Sequence, residues 1–214
     1  MDNTVDRLMK PTAKFAILVA LGVALVAAKA NATIINFSKI TNNGPIDVAG
    51  QLSVDVTSPA AGEVLFKFMN AGPEDCFIGQ IYFDDNNTRL SNMIVNTNPE
   101  TTAGVSFHIG ATPGNLPAGN SISPTFSAEL SDGADNPAPQ NGVNPTEMLG
   151  IKFSGNLSDV LGDIANGALR LGLHVQGIGT TGNSDSFVSV PEPSCGVLAV
   201  ITLAMAFRVR NRND

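Results

Sequence analysis

Apolar and polar residues alternate along much of the chain between residues 33 and 189, and this alternation predicts β-strands. In residues 169–176, leucine and valine occupy every second position, and three of the positions between them hold arginine, histidine and glutamine. A period of two is typical of a strand that buries one face and exposes the other. The same pattern predicts strands at residues 52–56, 64–68, 105–109, 126–130 and 149–153.

Three more strands follow from composition and position. Residues 76–83 are apolar on both faces, and residues 33–40 and 186–190 are predicted as the first and last strands. Clusters rich in Asn, Gly and Pro, such as Asn42-Asn43-Gly44-Pro45, separate the predicted strands and favour turns. Many short strands joined by such turns predict an all-β fold, an antiparallel β-sandwich that is jelly-roll-like.

One short helix is predicted to interrupt the strands and to lie across an open end of the sandwich. Its apolar residues at helical spacing are Leu157, Val160, Leu161 and Ile164. Ser158 or Asn156 can cap its start, and Gly167 follows its end. Residues 131–146 have no apolar period, so they are predicted as a long exposed loop.

The N-terminus has the pattern of a secretory signal peptide at residues 1–32, whose apolar run is predicted to form a signal helix. Basic residues precede an apolar run at residues 15–28, and Ala30-Asn31-Ala32 follows it. A basic region, a short apolar region and an Ala-x-Ala site are the marks of such a peptide. The run has 14 residues, whereas a membrane span needs about 20. We predict cleavage after Ala32, with an uncleaved N-terminal anchor as the alternative.

Residues 190–214 combine a short motif, an apolar run and a basic end. Pro191-Glu192-Pro193 precedes 13 uncharged residues at 195–207, and three arginines lie within residues 208–212. At about 1.5 Å per residue, a helix of this length reaches only about 20 Å, so it is marginal as a permanent span. Arginines hold such an end on the cytoplasmic side, and the prolines stop the helix from extending upstream. We predict a weak hydrophobic helix with an exposed, cleavable motif, and a plain C-terminal anchor is the alternative.

This tail resembles the PEP-CTERM sorting signal of exported bacterial proteins, and Pro191, Glu192 and Pro193 match its motif position by position. The resemblance covers residues 190–214 alone, and Cys195 departs from the small or hydroxyl residues that are common there. It implies processing by an exosortase, a membrane peptidase. It also implies a Gram-negative-type bacterium that makes extracellular polysaccharide.

Residues 33–189, between the two signals, have the length of one domain and are strongly acidic. They contain five basic and 15 acidic residues, a net charge of −10. Such a domain repels nucleic acid and anionic lipid, so nucleic acid is not expected as a partner. Cys76 is the only cysteine in this stretch, which excludes an internal disulfide. Beside Phe77, it is predicted to be a small buried hydrophobic residue rather than a reactive thiol.

Few residues indicate catalysis. His108 and His174 are the only histidines, and each lies on the polar face of a predicted strand. A zinc site needs three or four converging ligands, and the sequence contains no Gly-x-Ser-x-Gly motif. We therefore expect no enzyme. A secreted hydrolase with two converging carboxylates stays as an alternative.

Two acidic clusters, at residues 84–87 and 132–136, carry the oxygen ligands that calcium prefers. Neither has EF-hand spacing, and Asp and Asn also occupy turns for local reasons, so no cofactor is predicted and calcium is a weak alternative. The polar faces are rich in residues that hydrogen-bond sugars. However, Tyr82 is the only tyrosine and there is no tryptophan to stack on a sugar ring.

Together these features predict an exported protein. It is held at the inner membrane as a precursor and then located at the cell surface or outside the cell. We expect a structural or adhesive role in a polysaccharide matrix, with signal peptidase and exosortase as processing partners and transient membrane contact. The alternatives are a secreted carbohydrate- or calcium-binding module and a secreted hydrolase.

Overall fold

The computed structural model describes residues 33–180 and 182–191, and this part of the chain is an all-β domain, as predicted. The strands are β1 Thr33–Lys39, β2 Leu52–Thr57, β3 Glu63–Asn70, β4 Phe77–Asp85, β5 Ser91–Ile94, β6 Phe107–Ile109, β7 Leu130–Ala134, β8 Glu147–Ser154, β9 Leu169–Ile178 and β10 Asn183–Ser189. The helices are α1 Ala138–Asn141 and α2 Leu157–Asn166, with 3-10 turns at Ala49–Gln51 and Gly119–Ser121. The helices predicted within residues 1–32 and at residues 195–207 lie outside the described residues.

The strands form one antiparallel sheet in the order β5-β8-β3-β2-β1-β10-β9-β4-β7-β6. Its two halves are joined through β1. Residues 33–36 of that strand pair with β2, whereas residues 37–39 pair with β10. The first half is therefore β5, β8, β3 and β2, and the second half is β10, β9, β4, β7 and β6. The first and last strands of the domain lie side by side at the centre of the sheet.

The two halves face each other across a core of phenylalanine rings. Phe66 lies in β3 of the first half and Phe83 in β4 of the second, and both are fully buried. Their ring centroids are 5.4 Å apart at an interplanar angle of 79°, and Phe83 lies 5.0 Å from Phe153 of β8. Edge-to-face contacts of this kind are favourable. The architecture is a sandwich made by folding one sheet over rather than by stacking two separate sheets.

A second apolar cluster lies on the outer face of the second half, and it overturns one predicted strand. The cluster consists of Tyr82, Leu116, Phe126 and Val188. Residues 126–130 are predicted as a strand, but within them only Leu130 belongs to one, as the first residue of β7. The alternation arises because Phe126 and Ala128 pack on the outer face, whereas Leu130 packs against the inner core.

The predicted exposed loop at residues 131–146 is also wrong. Residues 131–134 lie in β7, which pairs with β4 on one side and β6 on the other. Helix α1 follows, so the domain has a second short helix in addition to the predicted one. Val143 is then fully buried and exchanges two backbone hydrogen bonds with Ile78, of 3.1 and 3.2 Å. Backbone pairing orders this segment, which is why its polar side chains do not reveal it.

The predicted helix is confirmed as α2. Asn156, rather than Ser158, caps it: its Oδ1 accepts hydrogen bonds from the backbone N–H groups of Ser158 and Asp159, at 2.9 and 3.2 Å. Gly167 ends the helix with a φ of 80°, in the left-handed region that favours glycine. Val160 and Ile164 are buried in the main core, with α2 beside β9.

Candidate functional site

The last described residues lie where the folded sheet meets the sorting motif. β10 ends at Ser189, and the backbone N–H of Val190 still donates a hydrogen bond to the carbonyl of Asn36 in β1, at 3.0 Å. The next residue, Pro191, is exposed. The other motif residues, Glu192 and Pro193, lie outside the described residues. So do Ala30 and Ala32 of the predicted signal-peptide site.

The chain enters and leaves the domain at the same end of the central strand pair. β1 begins at Thr33, and Phe37 of β1 is opposite Ser189 of β10 in an antiparallel ladder. In such a ladder the start of one strand lies beside the end of the other. Thr33 and Pro191 are therefore at the same end of this strand pair.

A row of polar residues crosses the outer face of the second half of the sheet. His174 of β9 is opposite Gln80 of β4, Gln80 is opposite Gly133 of β7, and Gly133 is opposite His108 of β6. We call His174, Gln80, Gly133 and His108 the outer-face row. The two histidines lie on the polar face of their strands, as predicted. Neighbouring strands are about 4.8 Å apart, so the row is about 14 Å long.

The two imidazoles of the outer-face row have different hydrogen-bond partners and different exposure. Nδ1 of His174 is 2.5 Å from Oε1 of Gln80, an acceptor, so Nδ1 carries the proton and Nε2 is left as an acceptor. Burial lowers the pKa of His174, which keeps the ring uncharged at neutral pH. Nδ1 of His108 lies 2.9 Å from Oδ1 of Asp135, and this ring is more than half exposed.

Ser106, Asp135 and His108 are the residue types of a hydrolase triad, but their arrangement differs from one. The Ser106 hydroxyl donates to Asp135 Oδ2 at 2.5 Å, and this bond and the contact with His108 lower the pKa of the Asp135 carboxyl. A nucleophilic serine must instead donate to the imidazole that removes its proton. Here the carboxylate lies between the other two side chains, so this cluster orients His108 without activating Ser106.

The carboxylates of the first acidic cluster are engaged by protein donors. Asp84 forms an ion pair with Arg170 and accepts a hydrogen bond from the backbone N–H of Ser127. Asp85 accepts from the backbone N–H groups of Arg89 and Leu90, at 3.0 and 2.9 Å. Both residues end β4 and fasten the segments beside it. These contacts favour a structural role for the cluster.

The second acidic cluster is divided between the interior and the surface. Asp132 lies in β7 between Leu130 and Ala134, which both pack against the main core, and it is fully buried. Asp135 follows the strand and bonds surface groups of Ser106 and His108. The structure therefore does not bring the carboxylates of Asp132 and Asp135 together.

Asp132 is the most unusual side chain in the domain and was missed by the sequence pattern. Neither of its carboxylate oxygens has a hydrogen-bond partner. Burial raises the pKa of this carboxyl well above its usual range, because the low-dielectric interior favours the neutral acid over the charged form. It occupies the position where the alternation of Leu130 and Ala134 calls for an apolar residue. The charge of Asp132 between Ser131 and Gly133 hid that alternation.

Cys76 lies in a buried amide cluster next to the start of β4. Nε2 of Gln51 lies 2.7 Å from Oδ1 of Asn70 and 3.2 Å from Sγ of Cys76. Asn70 donates in turn to the Cys76 and Val143 carbonyls, both at 3.2 Å. Burial raises the pKa of the Cys76 thiol to about 11. The predicted burial of Cys76 is confirmed: the residue belongs to the main apolar core, and the amides of Gln51 and Asn70 also contact its thiol. Its low reactivity stays a prediction.

No protein-family profile, curated protein or solved structure matches this chain. Within residues 33–180 and 182–191, no three His, Cys, Asp or Glu side chains come close enough together to hold a metal ion. In the same residues, no helix is both long enough and apolar enough to cross a membrane.

Proposed function

We propose that this protein is exported and sorted to the cell surface or extracellular matrix through its C-terminal signal. The sorting residues are Pro191, Glu192 and Pro193, and Ala30 and Ala32 direct removal of the N-terminal peptide. Signal peptidase and an exosortase are the processing partners. The domain at residues 33–189 then has a structural or adhesive role in a polysaccharide matrix.

One observation carries this proposal: the folded sheet fits between the two processing sites. All ten described strands lie between Thr33, the residue after the predicted signal-peptide cut, and Ser189, two residues before Pro191. Both processing events would therefore leave the sheet whole. The net charge of −10 over residues 33–189 adds support, because acidic domains stay soluble and monodisperse.

Intact mass of the protein from the producing organism tests the proposal. The mature chain is expected to begin at Thr33 and to lack residues 208–214. Glu192→Ala is expected to block C-terminal processing and to leave the chain in the membrane fraction. Pro117→Ala, in the segment over the outer face, is the control and should be processed normally. A mature chain that still ends at Asp214 contradicts the proposal.

A second candidate function is binding of a hydroxyl-rich ligand, such as a matrix polysaccharide, by the outer-face row. The row offers the Nε2 acceptor of His174 and the amide of Gln80, whereas Gly133 is buried beneath Ala111 and offers no side chain. The amide of Gln80 and the neutral imidazole of His174 suit sugar hydroxyls better than they suit ions. The absence of a Trp means that affinity would depend on these hydrogen bonds.

Titration with dextran and alginate oligosaccharides tests this second function. Gln80→Ala should weaken binding at least about 10-fold, because it removes both a ligand contact and the orientation of His174. Asn92→Ala, an exposed change in β5 of the other half, is the control. Equal affinities for the two variants would exclude the outer-face row as the binding surface.

A further inference from the structure

The end of the sheet also limits where the sorting peptidase can cut. We propose that the cleaved bond lies on the C-terminal side of Pro191, so that the mature protein keeps all of β10 together with Val190. This assignment rests on the processing proposed above and adds the position of the cut, which the motif alone does not give.

The backbone up to Val190 is held in the sheet. β10 pairs with β9 on one side, where Val188 is opposite Gly172, and with β1 on the other, where Val188 is opposite Ser38. Ser189 is opposite Phe37, and the N–H of Val190 donates to the carbonyl of Asn36 at 3.0 Å. Residues 186–188 are therefore paired on both sides and residues 189 and 190 on one side, so none of them has the wholly free backbone that an extended substrate presents to an enzyme.

A peptidase binds its substrate as an extended strand through the substrate's own N–H and C=O groups. To offer β10 in this way, the domain would have to release two ladders at the centre of its sheet. Opening central strands costs nearly as much free energy as global unfolding. β10 also contributes Phe187, which is fully buried in the main core. Cleavage within β10 would therefore need an unfolded domain.

The bond between Val190 and Pro191 lies at the end of the segment that is hydrogen-bonded to the sheet. Proline has no N–H, so this bond lacks a donor that a peptidase uses to align its substrate. Val190 itself is tied to β1 by its own N–H. The next bond joins Pro191 to Glu192. Pro191 is exposed, and its nitrogen has no hydrogen to donate to the sheet. This is therefore the first bond that follows a residue not held through its nitrogen. Hydrolysis there adds one water, which leaves a carboxylate on the domain and an amine on the released segment.

Two measurements on the full precursor test the position of the cut. In cells that process the protein, peptide mapping of the mature chain should place its C-terminus at Pro191 or later. A terminus at or before Val190 overturns the assignment while leaving the sorting proposal intact. Retention of residues 208–214 overturns both. The second measurement is limited digestion of the native precursor in detergent with proteinase K, which does not need the organism's own peptidase. Cuts are expected beyond Pro191 and not within residues 183–190. A cut inside β10 of the native precursor overturns the assignment.

An insertion tests whether the sheet or the sequence preference of the peptidase determines the position of the cut. Gly-Ser-Gly-Ser placed between Val190 and Pro191 moves the motif away from the sheet. The mature chain should then keep the four inserted residues and be processed faster. The same insertion after Gly114, an exposed turn, is the control and should leave the C-terminal peptide and its rate of formation unchanged. A mature chain that ends before the insertion overturns the proposal.

Discussion

The side-chain amide of Asn96 makes two hydrogen bonds with the backbone of Phe107. Asn96 Nδ2 donates to the Phe107 carbonyl at 2.8 Å, and the Phe107 N–H donates to Asn96 Oδ1 at 2.9 Å. Asn96 follows β5 and Phe107 begins β6, the two outermost strands of the sheet. One amide therefore takes the place of a backbone pair and brings the two edges of the sheet together.

Asn96→Ala is expected to lower the free energy of unfolding by about 1–2 kcal/mol, because both hydrogen bonds are lost. Urea denaturation measures the change. Asn92→Ala is a matched control. The φ angle is 51° at Asn92 and 56° at Asn96, so both variants carry the same backbone strain. The two differ in their contacts, because Asn92 Nδ2 bonds the Ser154 hydroxyl at 3.2 Å and does not bridge the two sheet edges. Equal losses in the two variants would mean that the Asn96 bridge adds nothing.

Asp132 is expected to make the domain less stable as the pH rises. Its pKa is raised in the folded state, so above a pH of about 3.9 the unfolded chain loses this proton while the folded chain keeps it. Stability then falls by up to about 1.4 kcal/mol per pH unit until the folded pKa is reached. Asp132→Asn should remove this slope. Denaturation midpoints measured from pH 4 to pH 8 test it, and parallel profiles for wild type and variant would contradict it.

Asp185 should have the opposite dependence on pH. It is buried in β10, and burial raises its pKa, but hydrogen bonds from the Asn43 N–H, Lys39 and Thr41 outweigh burial and lower the pKa. Its stabilisation is therefore present above a pH of about 3.9 and is lost as the pH falls through the lowered folded pKa. Asp185→Asn should destabilise the protein at pH 7 and flatten the acid limb of the stability profile. A variant whose acid limb matches the wild type would show that these bonds do not act through the charge of Asp185.

Gly172 is expected to tolerate no side chain. A Cβ added there would lie 2.9 Å from Cζ of Phe126 and 3.0 Å from Cδ2 of Leu116, both held over the outer face of the sheet. Gly172→Ala should therefore cost about 1–3 kcal/mol of stability. Gly133 lies on the same face and is the control, because its added Cβ would meet no atom closer than 3.6 Å. Thermal unfolding distinguishes the two variants, and a stable Gly172→Ala protein would show that the covering segment moves freely.

The thiol of Cys76 should be unreactive in the native protein. With its pKa at about 11, little thiolate exists at pH 8, and the side chain is buried. In a Cys195→Ala background, alkylation by iodoacetamide at pH 8 should be at least about 100-fold slower in the native state than in guanidinium chloride. Similar rates in both states would place the thiol at the surface.

Sequence patterns correctly predicted the strands in which apolar and polar residues alternate. β2 alternates because one of its sides is covered by the opposite half of the sheet. The apolar residues of β8 and β9 also alternate, although parts of both strands are buried on both sides. The pattern misled at residues 126–130, where two separate clusters bury alternate residues without a strand. The pattern did not predict β7. Backbone groups alone form its hydrogen-bonded ladder, and a charged residue type, Asp132, occupies an inward position where an apolar residue would reveal a strand. These errors arise from contacts between distant segments, which local periodicity does not record.

The candidate sites were foreseen in part. His108 and His174 could be placed on polar faces from the alternation around each of them. Their alignment with Gln80 and Gly133 depends on the order of β9, β4, β7 and β6, and that order comes from the packing of the whole sheet. The pairing of Asp135 with His108 likewise joins residues 27 positions apart.

The position of β10 beside β1 governs when the domain can become complete. A chain that leaves the ribosome or a secretion channel with its N-terminus first presents β1 at the start and β10 at the end. Until residue 189 has emerged, β1 and β9 each carry an open edge, and the two halves of the sheet have no shared ladder. The complete sheet is therefore expected to form only once residue 189 is available, whatever route the chain takes.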